Sequence, residues 1–166
     1  MRKIKYKQQD ITDCGATCLA SLLSFYGKKF PIAQIRQYAG TSQRGTNLLG
    51  MIQAAEKLGL LAKAIKVAQK DILLIPTPCI AHLNIKNKWQ HFVVIYKIKK
   101  KAISIMDPAV GRIEKWSYEK FFESWTGITL IASPGKHFIS DSKEKSIYKE
   151  FLNLIKPHKS IIFQSF

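Results

Sequence analysis

Gln8-Gln9-Asp10-Ile11-Thr12-Asp13-Cys14-Gly15-Ala16-Thr17-Cys18 runs without a break into the apolar segment Leu19 to Tyr26. Cys18, Leu19, Leu22, Leu23 and Tyr26 recur at helical spacing, Gly27 is a natural C-terminal stop, and Thr12 or Asp13 suits the N-cap. The spacing predicts a helix that places Cys14 at its N-terminus. There the unpaired N–H groups and the positive end of the helix dipole favour a thiolate, the form a nucleophile needs. Asp13, one residue away, works against it. Cysteine is also among the most buried residue types, so position alone leaves two readings of Cys14 open: a nucleophile and a small core residue.

Outward from this stretch, the chain reads as helices first and strands second. Pro31 to Ala39 reads as a short helix stopped by Gly40. Thr41 to Thr46 reads as a polar loop, and Leu48, Leu49, Ile52, Ala55 and Leu58 as a third helix ending at Gly59. Leu61 to Val67 looks like a strand, Lys70 to Ile75 a helical turn, and Pro76-Thr77-Pro78 a breaker. Short runs rich in Ile, Val, Phe and Tyr follow: Cys79 to Ile85, Trp89 to Ile98, Ala102 to Met106, Gly111 to Trp116 and Ile128 to Ala132, with a helix expected over Tyr118 to Trp125. This order predicts an α+β domain with an antiparallel meander. Ser133-Pro134-Gly135 closes the globular pattern. The division expected is a domain over 1–135 and, over 136–166, a basic linker with an amphipathic stretch at Ile147 to Ile155, then Pro157 and Ile161-Ile162-Phe163.

The 166 residues suit one domain with a core of its own. Three cysteines with no secretory pattern ahead of them argue for a reducing compartment and against a disulfide framework. No apolar run approaches the roughly 18 residues of a membrane span, so the chain as given is expected to be soluble. Twenty-seven Lys and Arg against eleven Asp and Glu leave a formal charge of +16. That excess suits nucleic acid, an acidic peptide or an anionic membrane face. The aromatic and basic signatures of nucleic-acid modules are absent, and no nucleic acid is expected as a partner.

A cysteine nucleophile needs a base, usually an imidazole oriented by a third group. Among His82, His91, His137 and His158, the last two fall in the tail and are expected to be solvent-exposed. If the hairpin formed by His91 to Lys97 and Lys101 to Asp107 turns at Lys99, Ile95 faces Ile103, Val93 faces Ile105 and His91 faces Asp107 across the strands. Asp107 then fixes the imidazole at the open end of the hairpin, and Asp107-Pro108 opens the next turn. His82, expected opposite His91 across a turn at Lys86-Asn87, is the rival, but it has no matching carboxylate. A zinc site built on Cys14, Cys18 and one of these histidines is the competing use of the same residues, but no paired C-x-x-C knuckles are present and Cys18 fits the buried stripe; no metal is expected. For an oxyanion, the Cys14 N–H and the side-chain amide of Gln8 or Gln9, in a leading strand, are the available donors.

Gln8, Asp13-Cys14-Gly15, Pro78-Cys79-Ile80-Ala81-His82, His91-Phe92-Val93-Val94, Asp107-Pro108-Ala109-Val110-Gly111 and Trp125-Thr126-Gly127, in this order, resemble the bacteriocin-processing cysteine peptidase domain found at the N-terminus of peptidase-containing ABC transporters. The resemblance covers about 4–135. It implies a papain-like fold and cleavage of leader peptides after a double-glycine type site, with Cys14 as nucleophile, His91 as base, Asp107 as orienting carboxylate and Gln8 rather than Gln9 as oxyanion donor. It also implies partners: a precursor's leader segment, transmembrane and nucleotide-binding domains in the same polypeptide, and the anionic inner membrane surface. The expected location is the cytoplasmic side of a bacterial cell membrane, in a homodimeric transporter. No cofactor is expected in this domain. ATP belongs to the separate nucleotide-binding domain, since no G-x-x-x-x-G-K-[ST] occurs here. The alternative is a relative that binds leaders without cutting them; such relatives lack the cysteine.

Overall fold

A computed structural model describes residues 4–141. The expected amphipathic stretch Ile147 to Ile155, His158 and the apolar end lie outside the described residues. Helices α1 (Cys14–Phe25), α2 (Ile32–Tyr38) and α3 (Leu48–Lys57) come first. Strands β1 (Leu60–Lys66), β2 (Cys79–Ile85), β3 (Trp89–Lys99), β4 (Ala102–Asp107), β5 (Arg112–Trp116) and β6 (Trp125–Pro134) follow, with α4 (Tyr118–Phe122) before the last strand. Single 3-10 turns occupy Ile11–Asp13 and Gln69–Leu74.

The six strands form one antiparallel sheet in the order β1-β6-β2-β3-β4-β5. The expected meander holds from β2 to β5. It fails at β6, which returns across the sheet to lie between β1 and β2. There β6 satisfies the backbone of both neighbours, pairing Leu60 with Pro134 on one side and Ile80 with Leu130 on the other. For that double duty β6 extends from Trp125 to Pro134, longer than the expected Ile128 to Ala132. It takes Trp125 from the helix expected there, so α4 stops at Phe122.

Both faces of the central strands are covered. On one face Ile80, Phe92, Val94, Tyr96, Met106 and Leu130 pack with the buried residues of α1, α2 and α3. On the other, Ala81, Leu83, Val93, Ile95, Ile103 and Ile105 pack with Ile72, Trp116, Phe121 and Trp125. A strand buried on both faces needs no polar alternation, which is why Val93-Val94-Ile95-Tyr96 reads as a continuous apolar run. Helix α1 is buried from Cys14 to Ser24 because the sheet and the other two helices enclose it. Gly15, on its first turn, shows how close that packing is: a Cβ there would lie 3.0 Å from Met51 Sδ and 3.1 Å from Thr46 Cβ.

Candidate active site

The start of α1 is built in two steps. Asp10 caps the turn Ile11–Asp13, its Oδ1 accepting the Thr12 N–H at 2.9 Å, while Asp13 Oδ2 accepts the Asp10 N–H at 3.1 Å. This reciprocal capping box replaces the expected cap at α1 itself. Asp13 occupies the N-cap position there but makes no capping bond. The other oxygen of Asp13 accepts a hydrogen bond from Arg36 of α2. Asp13 is buried, 2% exposed, and its charge is met by a guanidinium. Sequence reasoning missed Arg36. The available signal was that it is the one charged residue in Ile32–Tyr38.

One turn into α1, the Cys18 thiol donates to the Phe92 carbonyl at 3.3 Å, and burial drives that thiol well above the ordinary cysteine range. Cys18 is thus a packing contact with β3 rather than a ligand shared with Cys14. It fixes the height of the helix against the strand, and Cys14, a turn nearer the N-terminus, falls beside His91. Among the described residues, no group of three His, Cys, Asp or Glu side chains is placed to hold a metal.

His91 Nε2 donates to Asp107 Oδ1 at 2.8 Å, and the same oxygen accepts the Ala109 N–H at 2.9 Å. Burial alone would lower the His91 imidazole. Hydrogen bonds and charge from Asp107 and Cys14 overcome that and hold it at about 9. Burial likewise pushes Asp107 up, but the His91 bond and charge, together with the Ala109 N–H, keep its carboxyl below the ordinary range. With Nε2 on the carboxylate, Nδ1 is the nitrogen left for Cys14. A protonated imidazole between sulfur and carboxylate is the arrangement that stabilises a thiolate by ion pairing.

The pairing that brings His91 and Asp107 together differs from the expected one. The turn lies at Lys100-Lys101, so Lys99 faces Ala102, and a bulge between Ile95 and Lys97 leaves Ile95 opposite Ile105. Continued, this register sets Val93 rather than His91 opposite Asp107. On the His91 side of the bulge the register is displaced by two residues, which keeps His91 and Asp107 on a shared face, and His91 reaches Asp107 diagonally. In the neighbouring hairpin the error is one residue: His82 faces Phe92 rather than His91. The turn there includes Lys88 as well as Lys86 and Asn87, both of which have positive φ. The rings of His82 and Phe92 lie 5.1 Å apart, and Thr126 Oγ1 is 2.9 Å from His82 Nδ1. Burial lowers this imidazole despite a hydrogen bond with Gln90.

Gln8 arrives on the extended lead Ile4 to Gln9, which is not a strand of the sheet. The Gln8 N–H donates to the Pro108 carbonyl at 2.9 Å, and the Tyr96 hydroxyl donates to the Ile4 carbonyl at 2.8 Å. The lead is therefore fastened to the turn that follows Asp107. Gly111 makes this approach possible: it has φ +74°, and a Cβ there would lie 2.6 Å from Lys7 Cβ. Gln8 is half-buried, with its Oε1 buried and lacking a hydrogen-bond partner among the described residues, whereas Gln9 is exposed. His137 is exposed as expected. No helix among the described residues is long and apolar enough to cross a membrane.

Helices α1, α2 and α3 packed on one face of an antiparallel sheet, with a cysteine at the first helix's N-terminus and a histidine on a central strand, fit the papain-like class of cysteine peptidase. The chain belongs to the Peptidase C39 family, which matches residues 3–137. It is 37% identical over 171 residues to the lactococcin-G-processing and transport ATP-binding protein LagD of Lactococcus lactis subsp. lactis, covering all of this chain and 24% of that protein. The chain thus spans about a quarter of that relative's length. Its fold matches the crystal structure of the peptidase domain of Streptococcus ComA, a bifunctional ABC transporter involved in a quorum-sensing pathway. That match has a TM-score of 0.75 at 31% identity and covers 80% of this chain and 99% of that one. It also matches a double-glycine-motif protease from an AMS/PCAT transporter, solved in complex with the leader peptide, at a TM-score of 0.73 and 36% identity, covering 80% of this chain and 92% of that one.

Proposed function

We propose that this domain cuts the leader from a peptide precursor after a double-glycine type site, with Cys14 as nucleophile, His91 as acid and base, Asp107 as the group that orients His91, and Gln8 with the Cys14 N–H as oxyanion donors. The 2.8 Å bond from His91 to Asp107, on an imidazole that the neighbouring Cys14 and Asp107 together raise to about 9, is the observation that carries this assignment. The Cys14 thiolate attacks the carbonyl of the second glycine, and the electrons move onto the carbonyl oxygen, facing the Gln8 amide and the Cys14 N–H. Collapse of that intermediate breaks the peptide bond. The imidazolium gives its proton to the departing cargo amine, leaving the leader as a thioester on Cys14. His91, now neutral, takes a proton from water, whose oxygen displaces the sulfur and releases the leader acid.

The relatives support the setting: a processing and transport ATP-binding protein, and a double-glycine-motif protease in complex with the leader peptide. In the whole protein, transmembrane and nucleotide-binding domains follow this one, ATP is used there, two copies form the transporter, and the peptidase works on the cytoplasmic side against an anionic membrane surface suited to its +16 charge. Residues 1–135 form the peptidase unit and 136–166 the basic link to the membrane domain.

The direct test is incubation of the chain with a synthetic double-glycine leader peptide. Cleavage after the second glycine by the wild type and none by Cys14→Ala is expected. Undiminished cleavage by Cys14→Ala overturns the assignment, and tight binding of the leader without turnover by the wild type replaces it with a recruiting role.

A further inference from the structure

Asp13 is covalently next to Cys14 and almost fully buried, a poor neighbour for a sulfur that must carry negative charge. Both of its oxygens are engaged, one by the Asp10 N–H and the other by Arg36. Arg36 comes from a different helix and is the one charged residue of α2, and its side chain is 35% exposed against 3% for that of Asp13. The charged and titratable groups of this region are Asp10 and Asp13 in the turn before Cys14, Arg36 of α2 on Asp13, and Cys18 and His91, which interact with Cys14 itself, with Asp107 behind His91. Met51 of α3 and Thr46 of the loop before it, which press on the next residue, Gly15, are uncharged. Arg36 is the cation on the helix side of this set.

We propose that Arg36 is a positioning residue for the nucleophile: paired with Asp13, it cancels the carboxylate adjoining Cys14 and clamps the Ile11–Asp13 turn from which α1 starts, so that the sulfur faces His91 as an ion-pair partner. The inference rests on Cys14 being the nucleophile. It accounts for a buried acidic residue standing directly before the cysteine. A guanidinium suits the task because it keeps its charge at any working pH and its donors are rigidly placed.

The test is the rate at which iodoacetamide alkylates Cys14 in the full chain, followed from mildly acidic to mildly alkaline pH, with the adduct located by peptide mapping. In Arg36→Gln the profile is expected to move to higher pH by about one unit, with alkylation on its rising limb about tenfold slower. Arg36→Lys is expected to stay close to wild type, and Asp13→Asn in the Arg36→Gln background to bring the profile back. A merely structural role would leave the double variant as displaced as the single one, and that result, or an unmoved profile in folded Arg36→Gln, overturns the proposal. If Arg36→Gln does not fold, the comparison becomes Asp13→Asn against Asp13→Asn/Arg36→Gln. Equal profiles support transmission through Asp13, and a further displacement refutes it. The alkylation profile reads the sulfur whether or not the chain cuts a leader. Peptide cleavage surviving in Cys14→Ala would therefore remove the nucleophile assignment while leaving the Arg36–Asp13 result legible.

Discussion

His91 on β3 and Asp107 at the end of β4 are joined by a 2.8 Å hydrogen bond although they are not cross-strand partners; Asp107 is reached diagonally, from two residues beyond the position that faces it. The bond holds the imidazole at about 9 against the opposing effect of its burial. Proton transfer by such a group fails when it loses its charge before attack. Leader cleavage, measured as kcat/KM against pH, should therefore fall as pH rises through about 9. Asp107→Asn keeps an acceptor for the ring but removes the charge. Its alkaline limb should lie at lower pH, and its kcat should drop by about tenfold or more, short of the roughly 10²–10⁴ that a whole acid–base group contributes.

The same pair makes stability depend on pH in a definite direction. The folded His91 value lies above the ordinary 6.5, so its contribution is complete below 6.5 and is lost as pH rises towards about 9. Asp107 is shifted the other way, and its contribution is present above 3.8 and is lost as pH falls below it. Thermal melts should show a decline on each side. His91→Gln should flatten the alkaline decline, and an unchanged slope in that variant would count against the pairing.

Gln8 and Gln9 offer the same amide from adjacent positions, but only Gln8 is half-buried and bound to the Pro108 carbonyl. Gln8→Ala should lower kcat by about 10²–10³, the typical loss of one oxyanion donor, with KM nearly unchanged. Gln9→Ala should leave both constants as they are. Equal losses from the two variants would remove the oxyanion role from Gln8.

Gly111 lets the lead carrying Gln8 lie against the turn after Asp107. Gly111→Ala faces both the positive φ and a 2.6 Å approach to Lys7 Cβ. It should cost about 1–2 kcal/mol in chemical denaturation and lower kcat further than that loss of stability explains, because Gln8 is displaced. A stability loss with unaltered kcat in the folded fraction would separate the lead from catalysis.

The parts of the site legible in the chain were those set locally. The helix beginning at Cys14 follows from its spacing, and the shared face of His91 and Asp107 follows from the two-residue period of strands, which survives a register error of two. The error of one at His82 did not survive, since one additional turn residue, Lys88, sends that side chain to the other face. Long-range facts were hidden. The placement of β6 between β1 and β2 depends on which edges need pairing once the helices have packed. The Arg36–Asp13 pair depends on where α2 lands beside α1. Neither leaves a periodic trace in the sequence.

The central claim is that the substrate is carried on Cys14, and trapping the acyl intermediate tests it most directly. A double-glycine leader peptide is mixed with the chain, the reaction is stopped in acid within a single turnover, and the protein is mapped by mass spectrometry. The leader should be found on the peptide containing Cys14, ending in its second glycine and removable by hydroxylamine as a thioester is. A leader adduct on Cys18 or Cys79, or continued cleavage with no adduct in the wild type and full activity in Cys14→Ala, would contradict the account.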